Sequence, residues 1–282
     1  MLLYGVGMAN RLIAFVSGSS GSGKNTVINK LVEQNENYGF LTSYTTREMR
    51  PTDVEGKNYH FISKEEFESK IKEGDMLEFD FFSNNYYGIG KEAITKKLEQ
   101  HQVVLKDVTV AGVKNTKEKI KDEKIISFFF TADKKVLIER LINRGEKNIK
   151  NRMKFYKNEQ KRMYDSDYVI HNIDFEQTMS NIKTLIELEL QGKYLLPTVS
   201  CQQILEKRIN KYVNKFNKNK KVKPVTIAIQ NGKVYIVDGV YRYLASLKCG
   251  KHICKILLND KQVDVAKDLD VKEWNKIVKM YI

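Results

Sequence analysis

The chain has 282 residues, of which 41% are hydrophobic, 30% are charged, 16 are glycine and 3 are proline. This composition is typical of a globular protein with a buried core, and it excludes collagen-like and generally disordered chains. The formal net charge of +14 at pH 7 favours a polyanionic partner.

The positive charge is concentrated in the last third of the chain. Residues 193–282 contain 19 Lys and Arg against 7 Asp and Glu, whereas residues 1–192 contain 30 against 28. The change in composition, together with a length of about twice the modal domain, predicts two domains. Their predicted ranges are 1–192 and 193–282.

No apolar run approaches the roughly 18–20 residues that cross a bilayer, and the first residues lack the basic start and cleavage site of a secretory signal. The three cysteines, Cys201, Cys249 and Cys254, lack metal-ligand spacing. We therefore expect a cytoplasmic protein without a membrane partner, whose cysteines are reduced and buried. The oligomeric state is left open.

The predicted elements of the first 192 residues alternate between strands and helices. Residues 11–17 form a short apolar run that a Gly/Ser cluster and then a helical pattern follow. Further strands are predicted at 102–105, 124–130 and 168–170, and further helices at 64–72, 134–143 and 175–190. This alternation predicts an α/β fold, in which a parallel sheet carries helices on both faces.

The turn between the first strand and the first helix reads Gly18-Ser19-Ser20-Gly21-Ser22-Gly23-Lys24, which fits the pattern G-x-x-x-x-G-K. Glycines let backbone N–H groups converge on phosphate oxygens, and the lysine reaches the outer phosphates. The sequence therefore predicts a phosphate-binding loop. The next residue, Asn25, stands where a Ser or Thr hydroxyl normally ligates Mg²⁺, and Thr26 follows it.

An ordered set of polar and aromatic segments follows the loop. It consists of residues 43–51, 55–61, 78–79 and 85–88. This set resembles the nucleotide-acceptor region of guanylate kinases, and the wider resemblance covers about residues 11–190. Arginines and a tyrosine in this order can surround a phosphate, and a carboxylate can accept hydrogen bonds from the N1–H and N2–H edge of guanine.

The resemblance implies a P-loop nucleoside monophosphate kinase that uses ATP and Mg²⁺. The residues that would bind ATP are Gly18, Ser19, Ser20, Gly21, Ser22, Gly23, Lys24, Asn25 and Thr26. The acceptor phosphate would contact Arg47, Arg50, Tyr59 and Tyr87, and the base would contact Ser43 and Glu78. The catalytic set would be Lys24 with the lid residues Arg140, Arg144 and Arg152, and the metal would be held by Asn25 and Asp107.

Two further residues depart from the pattern of that family. Ile89 stands where a Ser or Thr usually contacts the base, and Thr109 stands where a second acid is expected. Because Ile89 offers no hydrogen bond to guanine, we expect weakened discrimination between bases.

The pattern changes beyond residue 193. A helix is predicted at 200–215, a polybasic stretch at 218–223, strands at 225–229 and 234–237, a helix at 242–249 and a packing helix within 264–282. Residues 234–245 resemble the signature of ParB/sulfiredoxin-like domains, with a wider resemblance over about 194–260. That resemblance implies a small α+β domain with a phosphate or ligand site at Asp238, Gly239 and Arg242.

Three functions follow from these observations. The first is ATP-dependent phosphorylation of GMP or a related purine nucleotide. The second is a catalytically weak nucleotide-sensing or scaffold protein whose basic domain binds DNA, with nucleic acid or a second nucleotide as its partner. The third is a kinase for a modified nucleotide, because Ile89 could accommodate a changed base edge.

Overall fold

A computed structural model of the chain describes residues 11–49, 53–57, 59–82, 84–154, 156–259 and 262–282. The chain divides into two compact units. The first comprises residues 1–17 and 24–127, and the second comprises residues 18–23 and 128–282. No helix in the described ranges is long and apolar enough to cross a membrane.

The first unit contains the elements from β1 to α4. Its strands are β1 (Leu12–Gly18, whose last residue belongs to the second unit), β2 (Tyr38–Phe40), β3 (Ser43–Thr45), β4 (Tyr59–Phe61), β5 (Met76–Phe82), β6 (Asn85–Gly90) and β7 (Val103–Asp107). Its helices are α1 (Lys24–Glu33), α2 (Lys64–Lys72), α3 (Lys91–Gln100) and α4 (Val110–Lys119).

The predicted first strand, first helix and their parallel sheet are confirmed. Strands β1 and β2 both pair in parallel with β7, which lies between them. Residues 12–16 of β1 are almost completely buried, which explains why they are all apolar. Helices α1 and α3 both contact β7.

A second, mostly antiparallel sheet in the first unit was not predicted as such. Its strand order is β4-β3-β6-β5, with only β3 and β4 parallel. Strands β3 and β4 have three residues each and are rich in polar and aromatic side chains, so they show neither an apolar run nor a clear alternation. The acceptor motif therefore indicates a binding region here, although the sequence pattern does not predict its strands.

The chain enters the second unit within β8 (Lys124–Thr131). The remaining strands are β9 (Tyr168–His171), β10 (Leu196–Pro197), β11 (Val225–Gln230), β12 (Lys233–Asp238) and β13 (Lys255–Leu257). The helices are α5 (Lys134–Asn143), α6 (Ile149–Lys154), α7 (Tyr156–Arg162), α8 (Phe175–Leu190), α9 (Glu206–Asn217), α10 (Val240–Cys249) and α11 (Val271–Lys279).

The sheet of the second unit has the order β10-β12-β11-β13-β9-β8. Strands β8, β9, β13 and β11 run in parallel, and β12 returns antiparallel to β11 through a turn in which Asn231 and Gly232 have positive φ angles. Because β13 pairs with β9, the last third of the chain continues this sheet. The domain boundary at residues 192 and 193 does not coincide with the division into units and stays a prediction.

One of the C-terminal helices begins later than predicted, and another packs as predicted. The helix predicted at 200–215 begins only at Glu206, because residues 201–203 form a separate 3-10 turn and Ile204 after it is extended. The packing role of the last helix is confirmed, since Trp274 of α11 is fully buried and its Nε1 donates to the Leu195 carbonyl at 2.8 Å.

Candidate active site

The phosphate loop connects β1 to α1 through a backbone with a positive φ at three glycines, of which Gly18 and Gly23 are the glycines of the motif. Gly18 has a φ of 135°, and a Cβ there would lie 2.1 Å from the Phe130 carbonyl oxygen. Gly23 has a φ of 84°, and a Cβ there would lie 2.5 Å from Asn172 Nδ2. The spacing of these glycines therefore follows from close backbone approach, which leaves N–H groups free of shielding side chains.

Two side chains that the sequence did not single out hold this loop. Asn172, directly after β9, donates from Nδ2 to the Ser22 carbonyl at 2.7 Å. Gln160 of α7 donates from Nε2 to Ser19 Oγ at 3.2 Å and to Thr131 Oγ1 at 2.9 Å. The sequence contains an indication for Asn172, because a polar residue at the carboxyl end of a parallel strand often faces a ligand site. It contains no such indication for Gln160.

Two polar atoms near the loop are buried without a hydrogen-bond partner in the described part of the chain. They are Ser22 Oγ and Asn172 Oδ1. Buried polar atoms normally have partners, and an exception is explained when a ligand or water completes the site. A bound polyphosphate with its waters would supply such partners.

Lys24, Asn25 and Thr26 occupy the first turn of α1. Lys24 is half-buried, while Asn25 and Thr26 are exposed. The first turn contains no acidic residue, so the positive end of this helix is not neutralised by its own side chains. These features suit an anion at the helix start.

The acceptor candidates Ser43, Tyr59 and Tyr87 lie on three adjacent strands of the small sheet. Ser43 on β3 is the register partner of Tyr59 on β4, and Thr45 on β3 is the partner of Tyr87 on β6. The Tyr59 and Tyr87 rings pack edge to face at 5.7 Å between centroids. The sheet thus brings together residues that are up to 44 positions apart in the sequence.

Arg47 lies beside these tyrosines. Its guanidinium carbon is 5.6 Å from the centre of the Tyr59 ring, and its Nη2 lies 2.8 Å from Asp53 Oδ2. The hydrogen bond to Asp53 raises the pKa of Arg47 further above its ordinary value. The other acceptor arginine, Arg50, lies outside the described residues.

Glu78 of β5 is half-buried, and burial raises the pKa of its carboxyl group. The positive charge of Lys106 opposes this increase, while the negative charges of Asp80 and Asp107 add to it. The carboxyl group lies against Gly112 of α4, where a Cβ would approach Glu78 Oε1 to 2.5 Å. A glycine at this position therefore leaves room for the Glu78 side chain.

Asp107 ends β7 and pairs in register with Val16 of β1. Its Oδ1 lies 3.3 Å from Nζ of the buried Lys106, another residue that the sequence analysis missed. Thr109 caps α4, and its Oγ1 accepts from the Gly112 N–H at 3.0 Å. The position at which a second acid was expected thus has a structural role in this chain.

Ile89 of β6 points into the apolar core of the first unit and is only 1% exposed. It belongs to the same buried cluster as Phe15, Leu77 and Val104. Burial in that cluster explains why an isoleucine is favourable here, since the residue stabilises the fold through apolar contacts.

The structure brings Arg144 and Arg152 together through Glu146, which the sequence analysis did not single out. Glu146 Oε2 lies 3.4 Å from Arg144 Nη2 and 3.1 Å from Arg152 Nε. The pKa of Glu146 is lowered, first by the backbone N–H of Asn148 and also by the two arginines. Both arginine side chains are more than half exposed, at 62% and 54%.

Arg140 of α5 has a different environment. Its Nη2 donates to the Ile173 carbonyl at 3.3 Å, and its Nη1 is buried without a hydrogen-bond partner in the described residues. A buried guanidinium nitrogen in this state retains an unused hydrogen-bond donor.

The C-terminal candidates Asp238, Gly239 and Arg242 lie together where β12 enters α10. Arg242 Nη2 lies 2.7 Å from Asp238 Oδ2 and donates to the Pro224 carbonyl at 3.1 Å. Gly239 has a φ of 103°, and a Cβ there would lie 2.7 Å from Arg242 Nη2. These contacts give Arg242 and Gly239 a structural role in the turn.

The family model described as guanylate kinase matches residues 10–189. A guanylate kinase of Oceanobacillus iheyensis is 35% identical over 181 residues, which is 63% of this chain and 87% of that protein. One of Clostridioides difficile is 36% identical over 181 residues, 63% of this chain and 88% of that protein. The crystal structure of guanylate kinase from Anaplasma phagocytophilum matches with a TM-score of 0.51 and 27% identity, over 64% of this chain and 87% of that one.

Proposed function

The chain belongs to the guanylate kinase family, and we propose that it transfers the γ-phosphoryl group of ATP to the phosphate of GMP, giving ADP and GDP. One observation carries the choice of acceptor. The partly enclosed carboxyl group of Glu78 lies in the same unit as Arg47, Tyr59 and Tyr87. This unit therefore contains both a side chain suited to bind the guanine base and side chains suited to bind the GMP phosphate.

ATP would bind with its phosphates at residues 18–26. The backbone N–H groups of the loop and the start of α1 would contact the phosphate oxygens, and Lys24 would neutralise charge on the outer phosphates. Gln160 and Asn172 act as positioning residues, because they hold the loop through Ser19 and Ser22. Their contacts keep the N–H groups in place before the nucleotide arrives.

GMP would bind at the small sheet of the first unit. Arg47 and the hydroxyl groups of Tyr59 and Tyr87 would hold its phosphate, with Arg50 as a second arginine. Ionised Glu78 would accept hydrogen bonds from N1–H and N2–H of guanine, and Ser43 would contact the same base. Adenine lacks this pair of donors, so AMP should bind more weakly than GMP.

The donor set also fits Mg²⁺. No cluster of three or more His, Cys, Asp or Glu side chains suited to a metal occurs in the described ranges. Magnesium in nucleotide sites needs only one or two protein oxygens beside phosphates and water, and Asp107 and Asn25 provide a carboxylate and an amide oxygen. When bound, the ion neutralises charge on the β- and γ-phosphates.

Phosphoryl transfer needs no covalent intermediate with the protein. The bond between the γ-phosphorus and the bridging oxygen breaks as an oxygen of the GMP phosphate attacks in line. Lys24, Arg140, Arg144 and Arg152 would stabilise the charge on the transferred group, and the lid would exclude water.

For residues 193–282 we propose a ParB/sulfiredoxin-like domain whose phosphate-bearing ligand contacts Asp238, Gly239 and Arg242. The strand-turn-helix at this position and the closeness of Arg242 to the helix start support the proposal. Titration of the full chain with ATP analogue should then give two sites, with the second lost in Arg242→Ala. A single site that Arg242→Ala leaves unchanged would refute it.

The kinase proposal is tested by ADP release from ATP and Mg²⁺ with GMP, dGMP, AMP or UMP as acceptor. Turnover with the guanine nucleotides alone is expected. The double variant Arg47→Ala/Asp53→Asn removes both members of an ion pair with side chains only 13% and 12% exposed, and it should abolish turnover without leaving a buried charge. Equal turnover with all four acceptors would contradict the assignment of the base site.

A further inference from the structure

The longest acid-free segment of the C-terminal third forms a basic surface that the kinase reaction does not use. Residues 207–237 contain 9 Lys and Arg and no Asp or Glu. Eight of these basic residues fall between positions 207 and 223, in α9 and the connection to β11. We define the Lys and Arg side chains of residues 207–223 as the basic face.

The structure holds the basic face in a fixed position. Ile209 and Phe216 of α9 are buried, and α9 packs against α10, so the opposite side of α9 is turned to solvent. Lys207, Lys211 and Lys215 are spaced by four residues, which places them along one side of the helix about 6 Å apart.

The connection after α9 has a defined path as well. Asn219 has a φ of 50°, its N–H donates to the Phe216 carbonyl at 3.0 Å, and the Lys220 N–H donates to the Lys215 carbonyl at 2.9 Å. This pair of hydrogen bonds is the Schellman motif, which sets the direction of the chain beyond a helix. The lysines at 218–223 therefore continue the surface of α9.

The described part of the chain supplies no carboxylate partner to the charges of the basic face. None of its Lys or Arg side chains forms an ion pair with a carboxylate of the described residues, and most are exposed. Two make contacts with aromatic rings instead, since Arg208 lies 5.3 Å from the centre of the Tyr241 ring and Lys215 lies 5.3 Å from that of Tyr212. Those contacts preserve the positive charge while orienting the side chains.

We propose that the basic face binds the phosphodiester backbone of nucleic acid. A row of uncompensated cations at regular spacing matches a polyanion with regularly spaced charges. An anionic membrane fits less well, because an interfacial helix must insert its apolar side and that side of α9 is already buried against α10. This surface acts independently of the proposed kinase reaction.

The test measures binding of the full chain to fluorescein-labelled oligonucleotides by anisotropy, at several salt concentrations. The test variant replaces three lysines of the basic face with glutamine: Lys218, Lys220 and Lys221. The control variant makes the same change at three lysines that are paired with glutamates in their own helices: Lys64, Lys96 and Lys114. Both variants lose the same net charge, and GMP turnover of each verifies that the protein is folded.

Wild type and the control variant should bind with similar affinity, and the affinity should fall steeply with salt. The test variant should bind at least about tenfold more weakly, and the slope of log affinity against log salt should decrease by about one unit per lysine removed. Probes of duplex DNA, single-stranded DNA and duplex RNA identify which polymer supplies the phosphodiesters. Equal losses in both variants, no binding at low salt, or binding only to phosphatidylserine vesicles would overturn the proposal.

Discussion

Replacing Glu78 by glutamine tests whether its carboxylate recognises the guanine base. In the proposed complex the carboxylate would accept from N1–H and N2–H of GMP, whereas the glutamine amide would accept only one of them and turn its own donor toward the other. A hydrogen bond to a charged group contributes about 1.5–3 kcal/mol, which predicts a decrease in kcat/KM for GMP of about 10- to 150-fold. IMP lacks the N2 amino group, so its kcat/KM should fall less, and the preference for GMP over IMP should shrink.

The assay is ADP release at subsaturating GMP or IMP, with ATP and Mg²⁺ in excess. Asp80→Asn is the matched control, because Asp80 lies on the same strand, is exposed and also contributes to the raised pKa of Glu78. That control should keep the preference of the wild type for GMP. A Glu78→Gln enzyme with an unchanged ratio of GMP to IMP would refute the role of Glu78 in reading the base.

Three further predictions follow from the same geometry. Because burial raises the folded-state pKa of Glu78, its stabilising contribution is complete below its unfolded pKa of about 4.3 and is lost as the pH rises through the folded value. The Tm of the wild type relative to that of Glu78→Gln should therefore decrease from pH 4 to pH 8. An increase would contradict the burial argument. Gly23→Ala should lower kcat/KM for ATP about tenfold or more, since a left-handed alanine is strained and its Cβ would displace the Asn172 amide that holds the loop. The control Gly192→Ala, at a φ of 59° with open space around it, should leave turnover unchanged. Gln160→Leu should raise KM for ATP about 2- to 12-fold with little change in KM for GMP, and an effect confined to GMP would show that Gln160 does not position the phosphate loop.

The elements with strong periodicity were predictable from the sequence. The helices at 64–72, 134–143 and 175–190 have the predicted bounds. Capping explains part of this agreement, because Ser63 and Asp174 accept hydrogen bonds from the first turns of α2 and α8. Local sequence thus determines both the amphipathic pattern and the point at which each helix begins.

The short strands of the acceptor sheet could not be recognised from local pattern. Strand β4 has three half-buried residues, and its partner β3 pairs with it only after the chain has passed through residues 46–58. Their stability comes from pairing across the sheet and from aromatic contacts such as that between Tyr59 and Tyr87. Such contacts are tertiary and leave no period in the sequence.

The residues that support the candidate site were the least predictable. Lys106 lies within an apolar strand, and Gln160 lies on a short polar helix, so neither belongs to a motif. Their positions beside Asp107 and Ser19 follow from the packing of distant elements. The motif residues could be proposed from the sequence because the chemistry of a phosphate or a guanine edge restricts which side chains can contact it.

Phosphorylation of GMP is measured directly by transfer of ³²P from γ-labelled ATP, when the full chain is incubated with Mg²⁺ and GMP and the products are separated. We expect the label to appear in GDP, inorganic phosphate to stay at background, and omission of GMP to stop the reaction. Label in inorganic phosphate alone, or no transfer to GMP despite bound ATP, would show that the chain is not a GMP kinase.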